Sequence, residues 1–270
     1  MRWRVLAMAA GTEARRTLAY RLDFWVQAAV VFAIELGLAW LVWTAVYREA
    51  GVETIGGLSQ RGALLYYVVV ILVAKLVRGP DLSDSGVSND VYEGGLTRFL
   101  LYPTPYGPVK YALHVGALFP ALVQLVLFGA AFPLLLDVPD ATVDAGSLAR
   151  GAVSVAVANL LHFLIAFCLH CVAFWAENVW SLVVGFRLIG GLLGGILLPL
   201  AAWPATWRPL VDALPFRHLF GTPVETLLGR RSTATWALDL LVALAWCAGF
   251  ALLGRLVFAR GRLRYTGPGI

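Results

Sequence analysis

Charge is scarce in this chain, and so is cysteine. Of its 270 residues only 14% are charged while 60% are hydrophobic, at a mean hydropathy of +0.79. A soluble fold of this length has too little interior to hide that much apolar surface, so the shortage of charge excludes an ordinary water-soluble domain and makes the bilayer the solvent. The cysteines Cys168, Cys171 and Cys247 all fall within apolar stretches, where a thiol behaves as a small hydrophobe, and no disulfide framework is implied. Lysine occurs only as Lys75 and Lys110, preceded by Ala74 and Val109. A phosphate-cradling loop needs Gly-Lys before Ser or Thr, so the chain has no ATP-hydrolysing motif of its own. No Gly-x-Ser-x-Gly nucleophile turn is present, and no internal repeat. The N-terminal stretch lacks the apolar core and small-residue cleavage site of a removable signal peptide, so the first hydrophobic segment is expected to stay as an anchor.

What is present is a series of long apolar windows, at 24–46, 62–77, 111–136, 148–175, 180–203 and 235–258. Each is expected to cross the hydrocarbon as a helix, because lipid cannot satisfy free backbone amides. The second is short and the fifth is interrupted by glycines. Residues 1–22 intersperse Trp3, Val5, Leu6, Leu18 and Tyr20 with arginines, the pattern of a helix lying in the inner headgroup layer. The predicted fold is all-α, a single six-helix membrane domain over 1–270.

The net charge of +5 comes from arginines at segment ends, which suits anionic lipid headgroups rather than nucleic acid. Arg2, Arg4, Arg15, Arg16 and Arg21 precede the first window, and Arg260, Arg262 and Arg264 follow the last. Lys75, Arg78, Arg98 and Lys110 flank the loop after the second. By the positive-inside rule both termini are expected in the cytoplasm of a multi-pass cell-membrane protein. Arg208, Arg217, Arg230 and Arg231 dissent, since they fall in the segment 204–232 expected outside.

The longest cytoplasmic excursion, 79–108, opens with Gly79, Pro80, Asp81, Ser83, Asp84, Ser85 and Gly86, which favour irregular chain. From Ser88 onward Val91, Leu96, Phe99 and Leu100 share one helical face, with Asp90, Glu93 and Arg98 elsewhere. Tyr102, Pro103, Thr104 and Pro105 end it, because proline lacks an amide donor and restricts its predecessor. Such a segment is either a plain interfacial connector or an element that docks on a partner.

Within the spans, Glu35 and Arg187 each carry an insertion cost of about 2.5–3.5 kcal/mol and need partners or water. They either pair, pinning the first and fifth helices, or line a cavity for amphiphilic cations or lipids, or leave Arg187 snorkelling near Glu177. Gly190, Gly191, Gly194 and Gly195 mark a seam of close helix approach. Trp203, Trp207, Phe216 and Phe220 are candidates to cap an exit path. His162, Cys168, His170 and Cys171, with His114, lack zinc-site spacing, so no metal or cofactor is expected. Asp81 and Asp84 alone raise a magnesium-dependent lipid-modifying transferase as an alternative, without the second carboxylate pair such chemistry needs. A membrane scaffold is the remaining option.

The run Asp90, Val91, Tyr92, Glu93, Gly94, Gly95 and Leu96, followed by Phe99, Leu100, Leu101 and Pro103, resembles the cytoplasmic coupling segment of type-2 ABC exporter permeases. Gly190, Gly191, Gly194 and Gly195, then Pro199, Leu200, Pro204, Leu214, Pro215, Phe216, Pro223 and Gly229, look like that family's fifth helix and the proline-marked re-entrant segment before its sixth. The resemblance implies a permease paired with a second, identical or paralogous permease and with two cytoplasmic ABC ATPase subunits, which bind the ATP and magnesium. It implies that Asp90, Tyr92, Glu93, Gly94, Leu96, Phe99, Leu100 and Pro103 transmit ATPase closure. Taken with the readings of the intramembrane charges, glycines and aromatics above, Glu35, Arg187, Gly190, Gly194, Pro199, Trp203 and Phe216 are the candidates for the translocation path or a helix seam. The cargo it implies is broad: a drug, lipophilic cation, lipid or glycan.

Overall fold

A computed structural model describes residues 2–19, 21–55, 57–79, 86–135, 143–200, 203–204 and 206–265. Pro80, Asp81, Ser83, Asp84 and Ser85 lie outside these, as do residues 1, 20, 82, 136, 201, 202 and 205 of the segments expected above. The chain is a polytopic all-α membrane protein. Among the described residues, Ala29–Ala50, Gln60–Arg78, Tyr106–Leu127, Ala145–Phe174 and Thr233–Gly261 are long and apolar enough to cross a bilayer, and Trp180–Leu193 is a shorter apolar helix.

Helices α1 (Arg2–Ala19) and α2 (Arg21–Ala50) are followed by a two-residue hairpin, β1 (Thr54–Ile55) with β2 (Leu58–Ser59). The hairpin is antiparallel, with Thr54 opposite Ser59, and turns at Gly57, whose φ of 78° suits glycine. Ser59 then caps α3 (Gln60–Arg78), its side-chain oxygen accepting from the Gly62 amide at 3.1 Å. The Tyr47 hydroxyl donates to the Leu58 carbonyl at 2.6 Å and ties the hairpin back to α2.

Two short helices follow, α4 (Val87–Tyr92) and α5 (Leu96–Leu100), then α6 (Tyr106–Ala117) and α7 (Phe119–Leu135). The expected third span thus starts at Tyr106 rather than at 111, and it is interrupted at Leu118. Pro120 accounts for the interruption, because it has no amide to give the Gly116 carbonyl and its ring crowds that carbonyl. Helix α8 (Ala145–His170) opens with a reciprocal cap: Asp144 accepts from the Ser147 amide at 2.6 Å while the Ser147 hydroxyl oxygen accepts from the Asp144 amide. The amide and hydroxyl of Ser147 hold the Asp144 carboxyl below its usual value. A 3-10 turn, Cys171–Phe174, extends α8 before α9 (Trp180–Leu193). Next come α10 (Arg208–Ala213), a 3-10 turn Pro215–His218, α11 (Gly221–Leu227) and α12 (Thr233–Gly261).

Helix α3 is the hub, with Ala63, Val68, Val70, Val73 and Val77 wholly buried. Helix α2 instead presents one buried stripe, Phe32, Ala39, Trp43 and Tyr47, at helical spacing, and exposes Val30, Ile34, Leu38 and Leu41. In lipid such exposure carries no penalty, and helices associate through close packing of small residues. Gly116 on α6 shows this: a Cβ there would sit 2.2 Å from the Ala10 carbonyl oxygen. Helix α1 accordingly packs along α6 by Val5, Leu6, Ala9 and Ala10, with Trp3, Arg4, Met8, Arg15 and Arg16 turned outward. It therefore has a protein partner in addition to the headgroup layer expected for it.

Leu6, Val87, Leu96, Phe99, Tyr106, Phe167, Cys171, Phe258 and Tyr265 form one cluster. It draws α1, α4, α5 and the adjoining ends of α6, α8 and α12 to a single end of the bundle, so Leu6 and Tyr265 lie on the same side. The hairpin and the segment before α12 lie at the opposite end.

Candidate functional site

The segment α4–α5 is two short helices hinged at Gly94, whose φ of 76° requires glycine. Its inward side is fastened to the bundle at several points. Asp90, nearly buried, takes the Lys110 ammonium at 2.8 Å and the Tyr106 hydroxyl at 2.5 Å. The Lys110 ammonium also lies over the rings of Phe99, 5.0 Å from its centroid, and Tyr106. Gly95 permits this approach, since a Cβ there would lie 3.2 Å from the Asp90 carboxylate. Leu96 is fully buried and Phe99 stands edge-on to Tyr106 at 5.4 Å. Ser88 shares a hydrogen bond with His170 at 2.8 Å, the Tyr92 hydroxyl donates to the Ala176 carbonyl at 2.9 Å, and Thr97 meets the Tyr265 hydroxyl.

The sequence-predicted coupling residues thus divide into two groups. Asp90, Leu96 and Phe99 point into the bundle, and Gly94 is the bend between the helices. Glu93, Leu100 and Pro103 face outward, with Arg98, Leu101 and Tyr102 beside them. Leu101 is 81% exposed and Leu100 46%. Tyr92 belongs to both groups, anchored at its hydroxyl and half-exposed on its ring. Lys110 and Tyr106, which do most of the fastening, were legible only as an orientation charge and as the residue after a proline pair.

The second group of predicted residues is organised by a break. The expected fifth span 180–203 ends as a helix at Leu193, because Gly195 turns with φ of 92° and the chain then leaves the helical path. Three hydrogen bonds hold this break: the Tyr66 hydroxyl to the Gly195 carbonyl, the Tyr67 hydroxyl to the Leu197 carbonyl, and the Gly221 amide to the Gly194 carbonyl, each at 2.8 Å. The glycines make room for the returning segment. A Cβ at Gly194 would lie 2.6 Å from the Phe220 ring and 2.9 Å from the Phe216 carbonyl oxygen, and one at Gly190 would lie 3.9 Å from the Phe216 ring. Gly190, Gly194 and Phe216 therefore form one seam. Pro199 is buried just beyond the break. Trp203 is partly buried at the far end, its carbonyl accepting from Arg208 at 3.1 Å.

Glu35 and Arg187 are joined to this region through α3. The Lys75 ammonium lies over the Phe32 ring at 5.6 Å, one turn from Glu35 on α2. The Arg78 guanidinium lies over the Phe220 ring at 5.3 Å, with Nη2 3.7 Å from where a Gly191 Cβ would be, one turn beyond Arg187 on α9. Glu35 interacts electrostatically with both Lys75 and Arg78, and Arg78 also senses Arg187. Helix α3 ends inside the bundle rather than at its rim. Asn159, midway along the Ala145–Phe174 span, donates to the Leu76 carbonyl at 2.8 Å and approaches that of Val77, while its amide also meets His114.

Two of the dissenting arginines, Arg217 and Arg231, are paired with acids. Arg217 bonds Asp212 and lies 3.6 Å from Asp239, while Arg231 holds Glu225 at 2.7 Å and Asp239 at 3.2 Å. Asp239, on α12, is thus shared by two cations of the preceding segment. Matching acids answer the local excess of positive charge, which the charge rule for loops cannot see. His218 sits beside this network with both ring nitrogens buried, and burial, then the Arg217 and Arg231 charges, bring its pKa down to about 4.

Of the other histidines and cysteines, His114 and His170 make the hydrogen bonds to Asn159 and Ser88 already described, and the rest serve packing contacts. His162 lies 5.2 Å from the Phe186 ring, Cys171 is fully buried, and Cys168 directs its thiol to the Phe250 carbonyl. Among the described residues no group of three or more His, Cys, Asp or Glu is placed to hold a metal ion. Asp81 and Asp84 lie outside the described residues.

A family model described as ABC-2 family transporter protein matches residues 33–269. Comparisons with curated proteins and with solved structures each returned no match. The match begins within α2, one residue past Phe32, and spans the fastened α4–α5 segment, the broken α9 and the segment returning to α12. The chain belongs to the ABC-2 transporter family and is a membrane permease subunit of an ABC-type transporter, not itself an ATPase.

Proposed function

We propose that this permease exports its cargo from the cytoplasm, with the outward edge of α4–α5 receiving force from a cytoplasmic ABC ATPase. The observation that supports this reading is the two-sidedness of that segment. Leu100, Leu101 and Tyr102 leave an apolar edge uncovered, flanked by the charges of Glu93 and Arg98, while the opposite side is locked through Asp90, Leu96 and Phe99 to the ends of α6, α8 and α12. A load applied to the edge moves three spans together, because packed and ion-paired elements shift as bodies. A connector with no partner has no need of both features.

Two such permeases, identical or paralogous, assemble with two ATPase subunits, which alone bind ATP and magnesium. Both termini and the α4–α5 segment lie in the cytoplasm, and the hairpin and the Asp212–Arg217–Asp239 network lie outside. Alternation comes from repacking around the Gly190–Gly195 break, where α9, α11 and α3 meet without a continuous helix. The test is copurification with the native ATPase, followed by turnover of the reconstituted complex. Leu101→Asp is expected to lower ATP turnover at least tenfold while the permease stays folded, and full turnover in that variant contradicts the reading.

A further inference from the structure

The charge cluster on α3 names a class of ligand. Lys75 and Arg78 are one turn apart at the end of a helix that stops within the bundle. Each head group lies over an aromatic ring, Phe32 and Phe220, and Phe220 is almost wholly buried. An arginine that merely snorkels extends toward the headgroups. Arg78 instead lies back over Phe220, toward Gly191, near the far end of α9.

Aromatic contact and the partial negative charge at the helix C-terminus offset part of the insertion cost of these two cations. The aromatic rings offer Arg78 no conventional acceptor, and at the helix end Asn159 already takes the Leu76 carbonyl and approaches that of Val77. Among the described residues the Arg78 Nε is buried with no hydrogen-bond partner, and so is the Glu35 Oε2. The carboxylate that both cations feel has therefore not closed on either of them, and one negative charge stands against Lys75 and Arg78. An open arrangement of this kind, at membrane depth, fits a third party with acceptor oxygens.

The surroundings suit an amphiphile. Ile34 and Leu38 beside Glu35 on α2, and Leu188 and Leu192 beside Arg187 on α9, are exposed apolar side chains. We propose that Lys75 and Arg78 bind the anionic, phosphate-type headgroup of a lipid-like amphiphile, with Glu35 as the internal counter-charge that the ligand displaces. The inference rests on the reading of the chain as a transporter subunit and deepens it: the cargo, or a lipid that occupies its path, is an anion. A lipophilic cation, one of the cargoes implied by the family resemblance, faces the wrong sign of charge here.

The experiment is a binding measurement on the purified full-length permease without its ATPase, so a failure of coupling leaves it intact. Fluorescent short-chain phosphatidylglycerol in neutral detergent is compared, by anisotropy, with phosphatidylcholine of the same chains and with a quaternary-ammonium amphiphile. The wild-type protein is expected to prefer the anionic probe by about tenfold. Lys75→Gln and Arg78→Gln are each expected to remove most of that preference, and Glu35→Gln to tighten binding about threefold or more. Glu35→Gln keeps the test decisive if the Arg78 variant fails to fold, because a purely structural role for Glu35 predicts no gain. Equal binding of the three probes, or weaker binding in Glu35→Gln, overturns the proposal. Displacement of the probe by millimolar inorganic phosphate assigns the site to a free anion and overturns the amphiphile.

Discussion

The Lys110 ammonium lies 2.8 Å from the Asp90 carboxylate, with both side chains about nine-tenths buried. This contact joins the short helices after α3 to the second turn of α6. Removing one member leaves the other charged and unpaired at a buried site, at a cost of about 3–5 kcal/mol. Lys110→Gln and Asp90→Asn are each expected to lower the thermal stability of the purified permease and to uncouple ATP turnover from transport. The pair Asp90→Asn with Lys110→Gln is expected to recover stability relative to either single change, which a double-mutant cycle in detergent measures.

The inward and outward residues of the same segment predict opposite phenotypes. Leu96→Ala removes a fully buried side chain and is expected to cost about 2–5 kcal/mol of permease stability. Leu100→Asp alters an exposed position and is expected to leave the melting temperature unchanged while weakening association with the ATPase. Melting curves beside copurification yields separate the two. Leu96→Asp, tempting from sequence as a probe of partner contact, reports on folding instead.

Substitution at the α9 break is expected to show in packing rather than charge. Gly195→Ala forces a Cβ into a left-handed backbone 2.7 Å from the Tyr66 hydroxyl, and Gly194→Val meets the Phe220 ring. Backbone strain alone costs about 1–3 kcal/mol. Both variants are expected to expose the segment Pro215–His218 to protease earlier than the wild type.

His218 predicts a pH dependence of stability with a definite sign. Its folded pKa, about 4, lies below the ordinary 6.5, so the folded state binds fewer protons than the unfolded state between those values. Stability is expected to be full above pH 6.5, to fall as pH drops toward 4, and then to level off. The shift corresponds to about 3 kcal/mol. His218→Gln is expected to flatten that slope in melting temperatures measured from pH 7.5 to 4.5.

The six-helix plan was legible because apolar windows of bilayer length admit little but helices, and the positions of Pro103 and Pro105 marked where the coupling segment ends. The break after Leu193 was only half legible. Four glycines announced close approach, yet a window of hydropathy runs straight through Gly194 and Gly195 to Trp203, and only the φ of Gly195 and the hydroxyls of Tyr66 and Tyr67 reveal that the helix stops. Pairings across the chain carry no local period at all. Lys110 with Asp90, Arg231 with Asp239, and Asn159 with the end of α3 depend on which spans become neighbours, and the charge rule that read Arg217 and Arg231 as misplaced had no access to Asp239.

The central claim is that the uncovered edge at Leu100 and Leu101 carries force from an ATPase to the bundle. Its most direct test is ATP turnover in the reconstituted complex of wild-type permease and Leu101→Asp, with permease melting temperature recorded on the same samples. The account predicts turnover lowered at least tenfold at an unchanged melting temperature. Turnover equal to wild type at an unchanged melting temperature contradicts it.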